Sequence, residues 1–240
     1  RILGSYLGKL VNLIIYIYFI LSCSLSTLLF VKIINNWLLP LTPSWILGFM
    51  IIASSIYLAI SDLRIIARFF VIMSLLIIFL ILTSFLTFTL PKDFQFILPI
   101  GETGMKNILL GSNNSLYSMI GFEQLLLIYP FVLQRERGVL KTVSYANVFT
   151  TCFYTYFTFI CLINFSPKQI QQIREPVIYL FRGLSYDMIE RLDLIILSIW
   201  TVSMTTTVII YLFLASKTIN QSKKSHAKIV FINGLLVFLI

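Results

Sequence analysis

The sequence predicts an all-α integral membrane protein, and three observations carry that prediction. The 240-residue chain is 59% hydrophobic and only 11% charged. A soluble domain has about a quarter of its residues charged, so this chain lacks the polar surface to coat a water-soluble globule. Its apolar residues come in long unbroken runs, as spanning helices require, rather than in the short alternating segments of a membrane β-barrel. Its formal net charge of +9 sorts unequally between alternate loops, as an orienting signal does; no nucleic-acid partner is needed to account for it.

Seven apolar segments follow one another. The first runs from about Leu7 to Ile34. Its start carries Gly4 and Gly8 in a G-x-x-x-G spacing, which lets another helix approach closely. The second, about Ser44 to Ile60, follows "LLPLTPSW", whose prolines and tryptophan suit an interfacial turn. The third, Phe69 to Leu90, is the most uniformly apolar. The fourth, about Leu109 to Leu133, contains "SMIGFEQLLLIYPFV". The fifth, about Val143 to Phe165, is rich in Phe, Tyr and Thr, and the sixth is Leu192 to Ala215. Between those two, "SPKQIQQIREPVIYLFRGLSYDMIER" is too long and too amphipathic for a simple turn. It predicts one or two short helices at the membrane surface, broken at Pro176 and Gly183.

The seventh segment, "IVFINGLLVFLI", spans roughly 18 Å as a helix against a hydrocarbon core of about 30 Å. With an arginine at position 1, it leads us to expect a single polytopic membrane domain over residues 1–240, cut at both ends. One set of alternate loops carries Arg1, Lys9, Arg64, Arg68, Arg135, Arg137, Lys141, Lys217, Lys223, Lys224 and Lys228. The other, smaller set carries Lys32, Lys92, Lys106, Lys168, Arg174, Arg182 and Arg191. The richer set is expected on the cytoplasmic side, with Asp62, Arg64 and Arg68 anchoring a short inner loop.

Few residues are placed for chemistry. Cys23, Cys152 and Cys161 all lie in apolar runs, no CxxC occurs, and His226 is the only histidine. This argues against a structural zinc site and gives no sign of a disulfide. There is no nucleophile elbow, and "GETG" at 101–104 lacks the Lys-Ser/Thr that completes a P-loop. No enzyme activity and no cofactor are expected.

Glu123 stands out. It lies near the midpoint of the fourth segment, beside Gly121 and Phe122. A carboxylate at mid-bilayer is costly unless paired, protonated or wetted, and glycine weakens a helix by about 1 kcal/mol relative to alanine. Together they predict a helix broken at the membrane centre, the way many transporters build a substrate site. Asn113, Asn114 and Ser118 make the approach unusually polar, and Pro130 is placed to kink the far half. The alternative is a buried structural carboxyl with a packing glycine. On the sixth segment Ser198, Thr201 and Thr205 fall on one helical face. They either line the same cavity or bond back to their own backbone, and for any one hydroxyl the second is the plainer expectation. Asp193 and the Glu190–Arg191 pair at that segment's mouth read as caps or ion pairs.

In order, "LGSYLGKLVNLIIYIYF", "LPLTPSWIL", "SDLRIIAR", "SMIGFEQLLLIYPFV" and "EPVIYLFRGL…IERLDLIILSIW" resemble the spore germination permeases, the polytopic B subunits of germinant receptors, over essentially the whole chain. The resemblance implies an inverted-repeat transporter fold of the amino acid–polyamine–cation superfamily with discontinuous helices. In it these segments look like spans three to nine of ten, and Glu123 falls on the broken sixth. It also implies a place in the inner membrane of the spore, an amino acid or other small nutrient as germinant, and work alongside A and C receptor subunits. The site expected on that pattern takes the freed backbone of Gly121 and Phe122 and the Glu123 carboxylate. Ser198, Thr201 and Ser22 complete its wall. An ion-coupled amino-acid permease using the same site, and a structural subunit with a vestigial site, are the other two readings.

Overall fold

The computed structural model describes residues 4–98, 104–116, 119, 121–132, 137–184, 191–219 and 223–240. Arg1, Ser118, Arg135, Glu190 and positions 101–103 of "GETG", singled out above, lie outside the described residues. Among those described there are helices and turns and no strand. The α-helices are α1 (Gly4–Trp37), α2 (Ser44–Ala59), α3 (Leu63–Ser84), α4 (Gly104–Leu116), α5 (Gln124–Ile128), α6 (Arg137–Asn164), α7 (Pro167–Gln172), α8 (Pro176–Arg182), α9 (Leu192–Ile219) and α10 (Lys223–Leu239). Four stretches are long and apolar enough to cross a bilayer: Tyr6–Trp37, Leu63–Thr89, Gly138–Asn164 and Leu192–Ile219. The all-α membrane fold expected from composition is the fold found.

The chain forms two units, Arg1–Phe85 with Ser185–Ile240, and Leu86–Leu184. In the first, α9 is the hub, packed by α1, α2, α3 and α10. Its second half is buried without interruption from Val208 to Ser216, as befits a helix that is apolar all round. The α1–α9 contact is antiparallel. The Phe19 and Tyr211 ring centroids are 5.9 Å apart, Cys23 Sγ lies 3.9 Å from the Val208 carbonyl, and Phe30 and Trp200 are 5.5 Å apart. Lipid tails are as apolar as leucine, so helices in a bilayer associate through close packing and polar contacts rather than hydrophobic burial. The close packing comes at Gly234 of α10, where an added Cβ would overlap the Ile56 side chain of α2 and lie 2.7 Å from its Cγ1. The Gly4/Gly8 pattern does not do the same, since a Cβ on Gly8 would meet nothing within 4 Å.

In the second unit, α6 packs on α7, on α8 and on a 3₁₀ turn at Phe94–Ile97, and the Asp93 amide donates to the Ile163 carbonyl at 2.9 Å. The amphipathic segment forms short helices as expected. Ser166 and Gln169 cap α7 reciprocally, Pro176 opens α8 at a position where no amide is needed, and Gly183 closes it.

Several helix starts lie ahead of the sequence expectation, among them α6 at Arg137 rather than Val143. Helix α3 begins at Leu63, so Arg64 and Arg68 sit on its first turns rather than in a loop. Helix α10 begins at Lys223, six residues ahead of the apolar run. In α3 the exposed Arg64 and Arg68 ride on helical backbone, as long basic side chains can when their charge is carried away from an apolar stem.

Candidate functional site

The fourth apolar segment is not a continuous helix. Helix α4 ends at Leu116, residues 121–123 form a turn, and α5 starts at Gln124. Gly121 sits at φ +138°, a conformation that side-chain-bearing residues rarely adopt. Its amide donates to Glu123 Oε2 at 2.8 Å. The amide of Gln124 returns to the Gly121 carbonyl at 3.2 Å, and those of Leu125 and Leu126 return to Phe122 and Glu123 at 3.1 Å each. The carboxylate therefore takes up a backbone donor at the break, a charge-assisted bond of the stronger kind. Pro130 then converts the far end to a 3₁₀ turn, Tyr129–Phe131. Phe122 projects outward, 72% exposed, while Gly121 and Glu123 are half-buried.

The hydroxyls of α9 bond back to their own helix. Ser198 Oγ donates to the Leu194 carbonyl and Thr201 Oγ1 to that of Leu197, both at 2.8 Å, and Thr205 Oγ1 donates to Thr201 at 2.9 Å. Each oxygen keeps its lone pairs as acceptors, so these groups can still receive a ligand donor but have no proton to give. Ser22 is half-buried on α1. The antiparallel register sets it level with Val208 and Ile209, about 11 Å along the axis from Thr201 at 1.5 Å per residue. The structure thus groups Ser198 with Thr201 on one turn of α9 and places Ser22 further along. Gly121, Phe122 and Glu123 belong to the other unit.

This order of helices, broken at an acidic turn, can be set against known proteins. The profile of the family described as spore germination protein, the spore permeases, matches residues 1–240. The chain belongs to the spore germination protein family. It is 28% identical over 228 residues to spore germination protein GerQB of Bacillus cereus, covering 92% of this chain and 61% of that protein. It is 27% identical over 204 residues to spore germination protein B2 of Bacillus subtilis, covering 82% and 54%, and 24% identical over 243 residues to that organism's spore germination protein A2, covering 98% and 65%. The chain therefore spans less than two thirds of the length of these relatives. No solved structure matches it.

Within this member of the spore germination family, one polar cluster among the described residues joins three helices, and its members were not among the residues singled out in the sequence. Tyr16 of α1 donates to Asn233 Oδ1 at 2.9 Å. Asn233 Nδ2 donates to Ser216 Oγ of α9 at 3.0 Å, and Ser216 in turn donates to the Leu212 carbonyl at 2.8 Å. Asn233 is 1% exposed, and it ties three helices together beside the tight Gly234 contact. The signal was present as a lone Asn-Gly inside an apolar run. Nearby, His226 is buried before that run begins, and its Nε2 lies 3.1 Å from the Ala59 carbonyl. Asp62 and Lys217 line the same recess of about 290 Å³. Burial first, then Lys217, pushes the imidazole pKa down, and the Ala59 carbonyl and Asp62 oppose the shift. At the mouth of α9, Asp193 is buried and paired with Arg191 at 2.8 Å, which fits the ion-pair reading and places a negative charge on the first turn of a helix.

Proposed function

We propose that this protein, as a single polytopic membrane domain, senses a small germinant, an amino acid, and so triggers spore germination. It would do so in the inner membrane of the spore, as the B-type member of a receptor with A and C subunits. The single observation that carries this reading is the turn at Gly121–Glu123, an ionisable side chain spent on holding a backbone break inside an apolar segment. A germinant ammonium that engages the Glu123 carboxylate competes with the Gly121 amide. Ser198 and Thr201, with Ser22 further along α1, are the acceptor groups that the other unit offers to a ligand. Binding then signals because it favours one arrangement of the two helical arms over the other, and a ligand shifts such an equilibrium only by its differential affinity for the two states.

The test is Glu123→Gln in the full-length protein, scored in spores for both protein abundance and germinant dose response. We expect normal abundance and a dose response displaced at least about tenfold, the factor that corresponds to about 1.4 kcal/mol of lost interaction. An unchanged dose response at normal abundance would leave the site vestigial. The family's description as permeases supports a second reading, ion-coupled amino-acid uptake through the same site. Gradient-dependent uptake of labelled amino acid into vesicles holding the full-length protein selects it, whereas retained germination without uptake selects sensing.

A further inference from the structure

The first turns of α10 meet the end of α2 through one side chain. His226 is 5% exposed, and its Nε2 lies 3.1 Å from the Ala59 carbonyl. A carbonyl can only accept, so this nitrogen carries the ring proton in the neutral form. Nδ1 is then an acceptor, and it is buried with no hydrogen-bond partner among the described residues. A second proton would turn Nδ1 into a buried donor with nothing to receive it and would bring a full charge with it, and both are unfavourable. The surroundings add to this. The Phe213 ring meets the imidazole edge-on with 5.2 Å between centroids, and Lys217 Nζ stands 5.3 Å over that same ring. A charged His226 would thus face a second cation across one phenyl ring. Among the described residues, the charged groups that line the recess with it are Lys217 of α9 and Asp62, between α2 and α3, while α1, which also packs on α10, gives the recess none. Lys228, on α10 itself, is exposed. Asp62 favours the charged ring, but burial together with Lys217 outweighs it.

The rest of α10 is anchored elsewhere. Val230 is fully buried, Asn233 is bonded to Tyr16 and Ser216, and Gly234 rests against Ile56. A release at His226 therefore frees only the stretch ahead of that anchor, residues 223–229.

We infer that His226 is a proton-operated latch. With the ring neutral it clasps Ala59 and docks the start of α10; with the ring protonated the clasp opens and the start of α10 leaves the end of α2. Histidine is the side chain whose ordinary pKa, about 6.5, puts such a change near neutral pH. The released ring regains water and its ordinary tendency to bind a proton, so acid favours the open form through differential proton affinity alone. The inference does not rest on germinant sensing at Glu123.

Hydrogen exchange of the full-length protein in nanodiscs tests it, read as protection factors so that the intrinsic pH dependence of exchange drops out. Between about pH 7.5 and about pH 5.5 the amides of residues 227–229 should lose protection several-fold, and at most about tenfold, the limit for one proton on an ordinary imidazole over that interval. Those of residues 208–216 should hold theirs. His226→Gln, which keeps a donor for Ala59 and cannot take a proton, should abolish the loss. Lys217→Met removes the opposing cation and should shrink the loss, and Asp62→Asn removes the supporting carboxylate and should enlarge it. Asp62 is exposed and Lys217 half-buried, so these two variants keep the test open should His226→Gln lower the protein's yield. Protection indifferent to pH, a loss that survives in His226→Gln, a loss shared equally by residues 208–216, or a response that neither Lys217→Met nor Asp62→Asn alters overturns the latch.

Discussion

Helix α9 and the turn at Gly121–Glu123 both carry polar groups through apolar surroundings, and they handle them in opposite ways. On α9 the backbone is intact, and Ser198, Thr201, Thr205 and Ser216 each return a proton to it within one turn. At 121–123 the backbone is interrupted and a side chain repairs it, with Glu123 accepting from the Gly121 amide. The first arrangement is neutral and repeated along the helix, from the exposed Ser198 to the buried Ser216. The second relies on an acidic side chain two residues away. The difference is one of design: on α9 each of these hydroxyls is answered by its own helix, whereas at the turn a side chain stands in for a missing helical bond, and it is on this turn that the proposed sensing role rests.

The contrast can be broken at its strongest point first. Gly234→Leu puts a branched side chain into Ile56 at the tightest helix contact of the scaffold. Overpacking of this kind costs about 1–3 kcal/mol, and more where backbone must move, so this variant should show the largest drop in thermal stability of the purified protein. A melt within a degree or two of the unaltered protein would mean that α10 is not docked as described. Gly121→Ala comes next. It forces a Cβ onto φ +138°, at about 1–3 kcal/mol of strain, and should flatten the germinant dose response more than it lowers global stability. Equal loss in both readouts would make the turn one more piece of scaffold.

Acid sharpens the comparison from the other side. His226 has its pKa lowered, by burial first and by Lys217 second, with Asp62 and the Ala59 carbonyl opposing. Below the unfolded value of about 6.5 the unfolded chain binds a proton that the folded chain refuses. Stability therefore falls as pH drops from about 6.5 toward the depressed folded pKa, and is regained above it. We expect the melting temperature to fall between about pH 7.5 and about pH 5.5 and the slope to shrink in His226→Gln; an identical slope in the variant would assign the effect elsewhere. The smallest effect belongs to Thr201→Val. Its hydroxyl serves only its own helix in the scaffold, so stability should change by no more than about 0.5 kcal/mol. A shift in germinant response without a shift in stability would then mark Thr201 as part of the ligand wall.

How far these features were legible in the sequence depends on how local they are. The break was legible because Gly121 and Glu123 are adjacent anomalies in a greasy segment, and the short helices around Pro176 and Gly183 because proline and glycine act on their own backbone. The starts of α3, α6 and α10 were set too late. Charge was read as loop, although Arg64, Arg68 and the lysines before His226 can ride on a helix. The tight contact at Gly234 was not legible, since a small residue permits approach without naming the partner, and Gly8, in a spacing that also allows approach, meets nothing within 4 Å. The level of Ser22 against Val208 rather than Thr201, and the bonds that join Tyr16, Asn233 and Ser216, are matters of register between helices far apart in sequence, which no single segment encodes.

The bond at the turn joins residues only two apart, Gly121 and Glu123. Its formation waits on no other helix, so the corner can be set as soon as this stretch of chain exists and can persist while everything around it rearranges. Such a corner is portable. Grafted into an unrelated apolar helix, the tripeptide Gly-Phe-Glu should carry its bend with it, and the two arms should swing about that elbow as rigid levers.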